Sequence, residues 1–250
     1  MRIAFPHWSG RHAWVMDVPS DDPAQGLVKV AATPVLVVPV DATHRVLLVK
    51  GMPSDENGRL AAAHPTQGNL AAYWFSLEQG RWSVAQRRDS MLWAGTFGDL
   101  GKVAPFDLGG GHRAVTVNSG GCWQGACIGL LDIVELDAGK GRPSVATIRV
   151  MSETEDTTEE CGPVLRGAAG ATIPKDWNAE TCFRIGGTLH LQPRDGAERA
   201  DLVLHFTGKE VASDPATKAL SVKVVDEIQV FRYAAGKYVP VSGRNPTHEI

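Results

Sequence analysis

Clustered positive charge is scarce in this sequence. Its 250 residues carry 25 Lys and Arg against 28 Asp and Glu, which gives a net charge of −3. The basic residues occur in short pairs such as Arg87 and Arg88. Specific binding of a nucleic acid depends on a basic patch that neutralises backbone phosphates. The composition therefore predicts no nucleic-acid partner.

Long apolar segments are also missing. A membrane-spanning helix needs about 18 or more consecutive apolar residues, whereas the longest apolar stretches here, 34–40 and 46–49, have the length of strands. The first eight residues lack the continuous apolar stretch of a signal peptide. We therefore expect no membrane span, and no signal peptide in the chain as it stands.

Helical periodicity is absent, and apolar residues alternate instead. Positions 220, 222, 224, 228 and 230 are apolar and their neighbours are mostly polar, which is typical of a half-buried antiparallel strand. Similar short segments lie between Gly, Pro, Asn and Asp residues, and together they predict about ten to twelve strands. The predicted strands are 35–40, 45–50, 71–77, 82–87, 112–117, 128–136, 145–150, 183–191, 201–207 and 220–230.

This pattern predicts an all-β fold of antiparallel sheets, arranged as a sandwich or a partial propeller-like array. We expect a single β-rich domain over 35–243, an N-terminal extension over 1–34 and a C-terminal tail over 244–250. The segment 151–182 is acidic at first and then rich in Gly, Ala and Pro. We expect it to be an irregular loop that a disulfide holds in place.

Two segments share one hairpin spacing. Residues 75–82 and 231–238 each contain Phe, four further residues, Gly, a basic residue and an aromatic residue. The spacing predicts a hairpin with a loop of three to five residues whose Gly has a positive φ. Two copies are too few to indicate a propeller repeat, so ordinary hairpin chemistry is the favoured interpretation.

Four cysteines form two local pairs. Cys122 and Cys127 flank a Gly-rich turn, and Cys161 and Cys182 bracket the segment described above. An even count with these spacings favours two disulfides over a metal site, and disulfides indicate an oxidising compartment. We therefore expect a periplasmic or extracellular protein, with the signal peptide of the native precursor replaced by a starting Met.

No catalytic motif is complete. Ser119 and the following glycines lack the first Gly of a nucleophile elbow, and Cys122–Trp123 follows a strand, where a papain-like Cys would begin a helix. We predict no catalytic residue. One alternative stays open, a cell-envelope hydrolase near the 107–127 turns that uses Asp107, His112 and the Ser119–Cys122 turn, because triads are defined by geometry and not by order.

Metal ligation has little support. Glu155, Asp156, Glu159 and Glu160 offer oxygen ligands for Ca²⁺, but the alternating pattern of a calcium-binding EF-hand loop is missing. The eight histidines show no zinc-ligand spacing. A solvated acidic loop is the favoured interpretation, and we expect no cofactor other than a Ca²⁺ ion at these four residues.

Two aromatic residues lie in the cysteine-bracketed loops. Trp123, with Gln124 beside it, is next to Cys122, and Trp177 is close to Cys182. Large rigid aromatics are frequent anchors of protein interfaces. We therefore predict Trp123, Gln124 and Trp177 as residues that bind a protein partner.

The Gly and aromatic motifs also support a resemblance. Segments 67–75, 80–82, 95–98, 120–125 and 231–240 resemble those of a group of uncharacterised, β-rich bacterial proteins that are predicted to be exported. The resemblance covers roughly 35–243. It implies export, a β-rich fold and a disulfide between Cys161 and Cys182, and it carries over no catalytic residues.

Taken together, these features predict a non-catalytic exported binding protein. One concrete form is an inhibitor or immunity-type protein that acts on a secreted or cell-envelope enzyme. Besides the hydrolase described above, a carbohydrate-binding module is an alternative, and it would show a row of exposed aromatic residues on one sheet face.

Overall fold

A computed structural model describes Phe5 and residues 13–137, 147–174, 177–178, 181–214 and 216–249. Contacts divide the chain into two compact units. The first unit runs up to Ser119 and resumes at Asp132, and the second contains Gly120–Leu131 and the chain from Thr147 onward. Two of the crossings between the units fall inside strands, Arg113–Trp123 and Ala126–Glu135, and not in linkers. The sequence showed no linker-like segment at these two positions, and it was therefore interpreted as a single domain.

Within the described residues the chain forms thirteen strands, one short α-helix and one 3-10 turn. The strands are β1 (Trp14–Pro19), β2 (Leu27–Pro39), β3 (His44–Pro53), β4 (Gly68–Glu78), β5 (Arg81–Ala94), β6 (Lys102–Asp107), β7 (Arg113–Trp123), β8 (Ala126–Glu135), β9 (Ile148–Glu153), β10 (Phe183–Gln192), β11 (Asp201–Ser213), β12 (Leu220–Ala234) and β13 (Lys237–Gly243). The 3-10 turn is Pro23–Gln25 and the helix, α1, is Cys161–Arg166. The predicted all-β antiparallel fold is confirmed, with slightly more strands than expected.

The first unit contains a five-stranded sheet in the order β1-β2-β3-β4-β5, and both of its faces are buried. Leu48 and Trp74 point into one apolar cluster, whereas Leu47 and Tyr73 point into a second cluster on the other face. Alternation along each strand produces this division. Burial on both faces explains why β3 and β4 are apolar almost throughout and do not alternate.

The N-terminal part of the chain belongs to this sheet. Residues 14–34, assigned to an extension from the sequence, form β1 and the first part of β2, and Val18, Val30 and Ala32 are fully buried. The first part of β2 was not predicted from the sequence, because Pro34 follows it and proline inside an apolar run argues against a central strand. Here it lies where the pairing of β2 with β3 shifts register, and a bulge accommodates it.

The second unit is built on β9 to β13 and the 120–131 hairpin. These strands belong to an eight-stranded sheet in the order β13-β12-β11-β10-β9-β8-β7-β6. Ile185, Leu204 and Phe206 are completely buried on one face of β10 and β11. The residues that alternate with them point to the opposite face.

Three hairpins in the described part of the chain turn through two residues. The loop residues are Gln79–Gly80, Gln124–Gly125 and Ala235–Gly236, and all six have a positive φ. Positive φ at both central positions defines a type I′ turn, whose twist matches that of the flanking strands. The expected positive φ at Gly80 and Gly236 is confirmed, but the predicted loop length of three to five residues is wrong.

The segment 151–182 is less irregular than expected. β9 extends to Glu153, and α1 occupies six residues that end at Gly167, whose left-handed conformation lets its backbone N–H bond the Pro163 and Val164 carbonyls. The expected C-terminal tail is packed: the Asn245 side chain donates to the Arg149 carbonyl at 2.7 Å, and the His248 N–H donates to Ser152 Oγ at 3.0 Å. In the part of the chain that the structure describes, no helix has the length and apolar character needed to cross a membrane.

Candidate functional site

One face of the second unit's sheet is solvent-facing, and we call it the outer face. The strand register aligns Cys127, Glu153, Arg184, Lys209 and Val224 in a row across β8 to β12. Residues paired directly across neighbouring strands point to the same side of a sheet. The row therefore defines the outer face and places opposite charges and an apolar residue side by side.

The next row of paired residues along β10 and β11 contains a glycine, and the outer face has a depression there. Gly186 pairs with Thr207, and a Cβ atom added at Gly186 would meet no heavy atom within 4 Å. Without a side chain at this position, the surface opens into a cleft of about 580 Å³. The cleft is lined by Glu155, Leu165, Arg166, Arg184, Gly186, Thr207, Gly208 and Lys209.

Positive charge dominates the lining of the cleft. Arg166 Nη1 donates to Glu155 Oε1, and Arg184 Nη1 donates to Glu155 Oε2 at 2.9 Å. Lys209 Nζ donates to the Leu165 carbonyl near the end of α1 at 2.9 Å. The Glu155 side chain is only 11% exposed, whereas those of Arg166 and Arg184 are 61% and 63% exposed. The one carboxylate among the described lining residues is thus largely buried, and both guanidinium-bearing side chains are exposed to solvent.

The hairpin tip, residues 122–127, contacts the segment that supplies Glu155. A Cβ atom at Gly125 would lie 2.5 Å from the Asp156 carbonyl oxygen, so only glycine permits this approach. The Cys122–Cys127 disulfide closes the tip, and the Trp123 residue is 60% exposed there. The predicted anchor Trp123 and its neighbour Gln124, which is exposed in the turn, are therefore held next to the wall of the cleft.

The other predicted anchor, Trp177, has a different environment. It is partly buried and packs against a cluster that includes Cys161, Leu165 and Cys182, and the latter cysteine pairs with Cys161 in a disulfide. This cluster surrounds the disulfide that ties α1 to the start of β10. Trp177 thus has a packing role, and its contact with a partner stays a prediction.

The acidic residues 155, 156, 159 and 160 do not form a metal site. Glu155 is occupied by two arginines, and Glu160 precedes α1 without a side-chain capping bond. Among the described residues no group of three or more His, Cys, Asp and Glu side chains is arranged to hold a metal ion. The Ca²⁺ expected there thus has no ligand set among these residues.

The residues of the alternative hydrolase site are not brought together. Asp107 pairs with Arg113, and His112 Nδ1 lies 2.6 Å from Asp137 Oδ2. Ser119 lies six residues beyond Arg113 along β7, which is about 20 Å at the rise of a strand. Cys122 is in a disulfide, so its sulfur is not a thiolate nucleophile.

The cationic residues of the cleft were not predicted from the sequence. Alternation along 183–191 and 201–207 indicated two strands, but it carries no information on which of their residues face each other. The Gly186–Thr207 pairing depends on the register of β10 with β11, and Arg166 lies on a helix that was not predicted.

Comparison with known proteins gives no match to a family model, to a curated protein or to a solved structure.

Proposed function

We propose that this is a non-catalytic exported binding protein, which engages a protein partner through the outer face and the hairpin tip of its second unit. In its most concrete form it neutralises a secreted or cell-envelope enzyme. The observation that carries the proposal is the pairing of an exposed tryptophan with a cationic cleft on a disulfide-braced surface.

The composition of this surface supports a protein partner. Interfaces are enriched in Trp and Arg and contain apolar residues that become buried on binding. Besides Trp123, Arg166 and Arg184, the surface includes Val224, which is 75% exposed, and Ile228, which is 50% exposed. Valine and isoleucine at this exposure on a strand gain free energy when a partner covers them.

The two disulfides support export. Both described cysteine pairs are joined, and no described cysteine is free. Disulfides persist in oxidising compartments and are rare where glutathione and thioredoxin keep thiols reduced. A binding surface that depends on them is suited to the periplasm or the extracellular space.

The two alternative functions receive less support from the geometry. A hydrolase needs its nucleophile, base and carboxylate within hydrogen-bonding distance, and the candidate residues are separated along β7. A carbohydrate-binding module needs a row of exposed aromatic residues. Among the described residues the exposed aromatics are Phe97 and Trp123, which lie in different units.

The test begins with the purified, oxidised protein as bait in periplasmic and extracellular fractions. A captured enzyme is then purified, and its activity and its affinity for the bait are measured. We expect the enzyme to lose activity when the protein is added. We expect Trp123→Ala to weaken binding by about thirtyfold, as removal of an interface hot spot does.

A matched control is available in the first unit. Phe97 is an aromatic residue of similar exposure, 56% against 60% for Trp123, and Phe97→Ala should leave the affinity unchanged. Equal affinities for wild type and Trp123→Ala would contradict the proposed surface. A bound enzyme that keeps its full activity would contradict the inhibitory role.

A further inference from the structure

We infer that the cleft is a carboxylate-binding site, and that its ligand is an acidic side chain on a peptide segment of the partner. This inference rests on the proposed function and specifies the chemistry of the partner. It is carried by the charge balance around Glu155, by the geometry of the two arginines and by the open space above Gly186.

The charge balance leaves the cleft positive. Among the described lining residues, Arg166, Arg184 and Lys209 supply three cations and Glu155 is the one carboxylate. Glu153 lies at the edge, with its Oε2 3.6 Å from Arg184 Nε. Counting both carboxylates leaves one positive charge in excess on a chain whose net charge is −3. The cleft is thus a local attractor for an anion.

One further carboxylate of the outer face already has a partner. Asp226 pairs with Thr207 across the strands, just outside the lining, and its Oδ1 lies 2.5 Å from His205 Nε2. Its side chain does not contribute to the described lining of the cleft, where the arginines and the lysine are the cationic groups that face an incoming ligand.

The same balance favours a carboxylate over a phosphate. A single carboxylate neutralises the excess charge, whereas a dianionic phosphate would exceed it and face Glu155 across the cleft. Guanidinium groups bind planar carboxylates through parallel N–H donors. The structure already contains one such arrangement, because Glu155 bridges Arg166 and Arg184.

The size of the cleft fits a side chain on a peptide. Its volume of about 580 Å³ is within the range of pockets that hold small ligands. Leu165 supplies an apolar wall, and the exposed Val224 lies beside Lys209 on the neighbouring strand. These residues offer apolar contact to the methylene groups and backbone of an acidic segment.

The experiment uses a hexaglutamate peptide, acetylated and amidated so that only side-chain carboxylates are present, and calorimetry in about 20 mM salt, where screening is weak. Hexaglutamine is the uncharged control peptide, and inorganic phosphate is the competing anion. We expect hexaglutamate to bind and hexaglutamine not to bind. Absence of hexaglutamate binding, or tighter binding of phosphate, would overturn the inference.

Gly186→Val is the decisive variant. It places a branched apolar side chain at the floor of the cleft and removes no charge. Because its Cβ enters open space, the variant should fold. We expect it to lose at least about tenfold in affinity for hexaglutamate, since the valine obstructs the hydrogen bonds to the ligand. Lys209→Gln is the second variant and should lose affinity to a similar extent. Lys223→Gln removes the same charge from the opposite side of β12 and should bind like wild type. Unchanged affinity of Gly186→Val and Lys209→Gln would place the ligand elsewhere and refute the site.

Glu155→Gln tests the direction in which the affinity for hexaglutamate changes. The substitution removes the internal carboxylate that competes for both arginines, so affinity for hexaglutamate should rise. A fall in affinity would contradict the charge argument.

The outcomes separate this inference from the proposed function. Hexaglutamate binding that Gly186→Val abolishes, together with an enzyme affinity that Trp123→Ala leaves unchanged, would support the cleft and reject the wider interface. Loss of enzyme binding in Trp123→Ala without any hexaglutamate binding would support the wider interface and reject the cleft as a carboxylate site.

Discussion

The two units of this chain are stabilised in different ways. In the first unit both faces of a five-stranded sheet are buried in apolar clusters, and no cysteine is present. In the second unit one face of β10 to β12 is exposed, and both disulfides occur there. The difference indicates that crosslinks accompany the unit whose sheet keeps one face open to solvent.

The two units differ in how much apolar surface their sheets can bury. A sheet that is covered on both sides gains free energy from nearly every residue of its central strands. The exposed outer face of the second unit buries less apolar surface and therefore contributes less to stability. A Gly-containing segment such as 167–172 also increases the conformational entropy of the unfolded state. In the loop-entropy model the Cys161–Cys182 and Cys122–Cys127 bonds offset about 3 and 2 kcal/mol of this cost.

The largest expected effect on stability comes from removing a large buried side chain from the core of the first unit. Trp74 is buried and its Nε1 donates to the Leu136 carbonyl at 2.9 Å. We expect Trp74→Ala to lower the unfolding free energy of the first unit by about 3–5 kcal/mol. The exposed Trp123→Ala should change the stability of the second unit by less than about 0.5 kcal/mol. Urea unfolding measures both, and equal losses would contradict the assignment of Trp74 to the core and Trp123 to the surface.

Removing the crosslinks should act on the second unit alone. A variant with Cys161→Ala and Cys182→Ala should lose about 3 kcal/mol, and one with Cys122→Ala and Cys127→Ala about 2 kcal/mol. Hydrogen exchange resolves the two units, and protection in β2 to β4 should be unchanged in both variants. If that protection fell together with that of β10 to β12, the disulfides would stabilise both units and the contrast between them would fail.

Two adjacent glycines on β10 sharpen the contrast between the faces of the second unit's sheet. A Cβ at Gly187 would lie 2.7 Å from Phe206 Cε1, whereas one at Gly186 meets open space. We expect Gly187→Val to cost about 1–3 kcal/mol through overpacking, and Gly186→Val to stay within about 0.5 kcal/mol of wild type. Thermal unfolding of the two variants makes the comparison, and a larger loss for Gly186→Val would reverse the assignment of the two faces.

The smallest expected effect is a pH dependence in the first unit. Hydrogen bonds from the Thr43 N–H and then from the His44 side chain lower the pKa of Asp41 from its ordinary value of 3.8 to about 2. Its contribution to stability is therefore complete above about pH 4 and is lost as the pH falls through 2. The stability difference between wild type and Asp41→Asn should shrink as the pH falls from about 4 through 2, where the carboxylate becomes protonated. A difference that grew over this acidic range would show that the carboxylate is not the stabilising form.

Much of the fold followed from local patterns. Alternation located nearly all the strands from Val35 onward, glycine marked the turns at Gly80 and Gly236, and the spacing of the cysteines indicated both disulfides. β1, β6 and β13, each of six or seven residues, were not among the predicted strands, and Pro34 obscured the first part of β2. The partial burial of Trp177 was not evident either, because burial depends on residues distant in the chain, and its role in binding a partner stays a prediction.

The sequence by itself determined the all-β class, the positive φ at Gly80 and Gly236 and the pairing of its cysteines, since each depends on local sequence. Only the tertiary structure decided that Arg166, Arg184 and Lys209 surround Glu155. That arrangement requires the register of β10 with β11 and the docking of α1 on the sheet. Both are set by packing between segments far apart in the chain, which alternation along one strand does not specify.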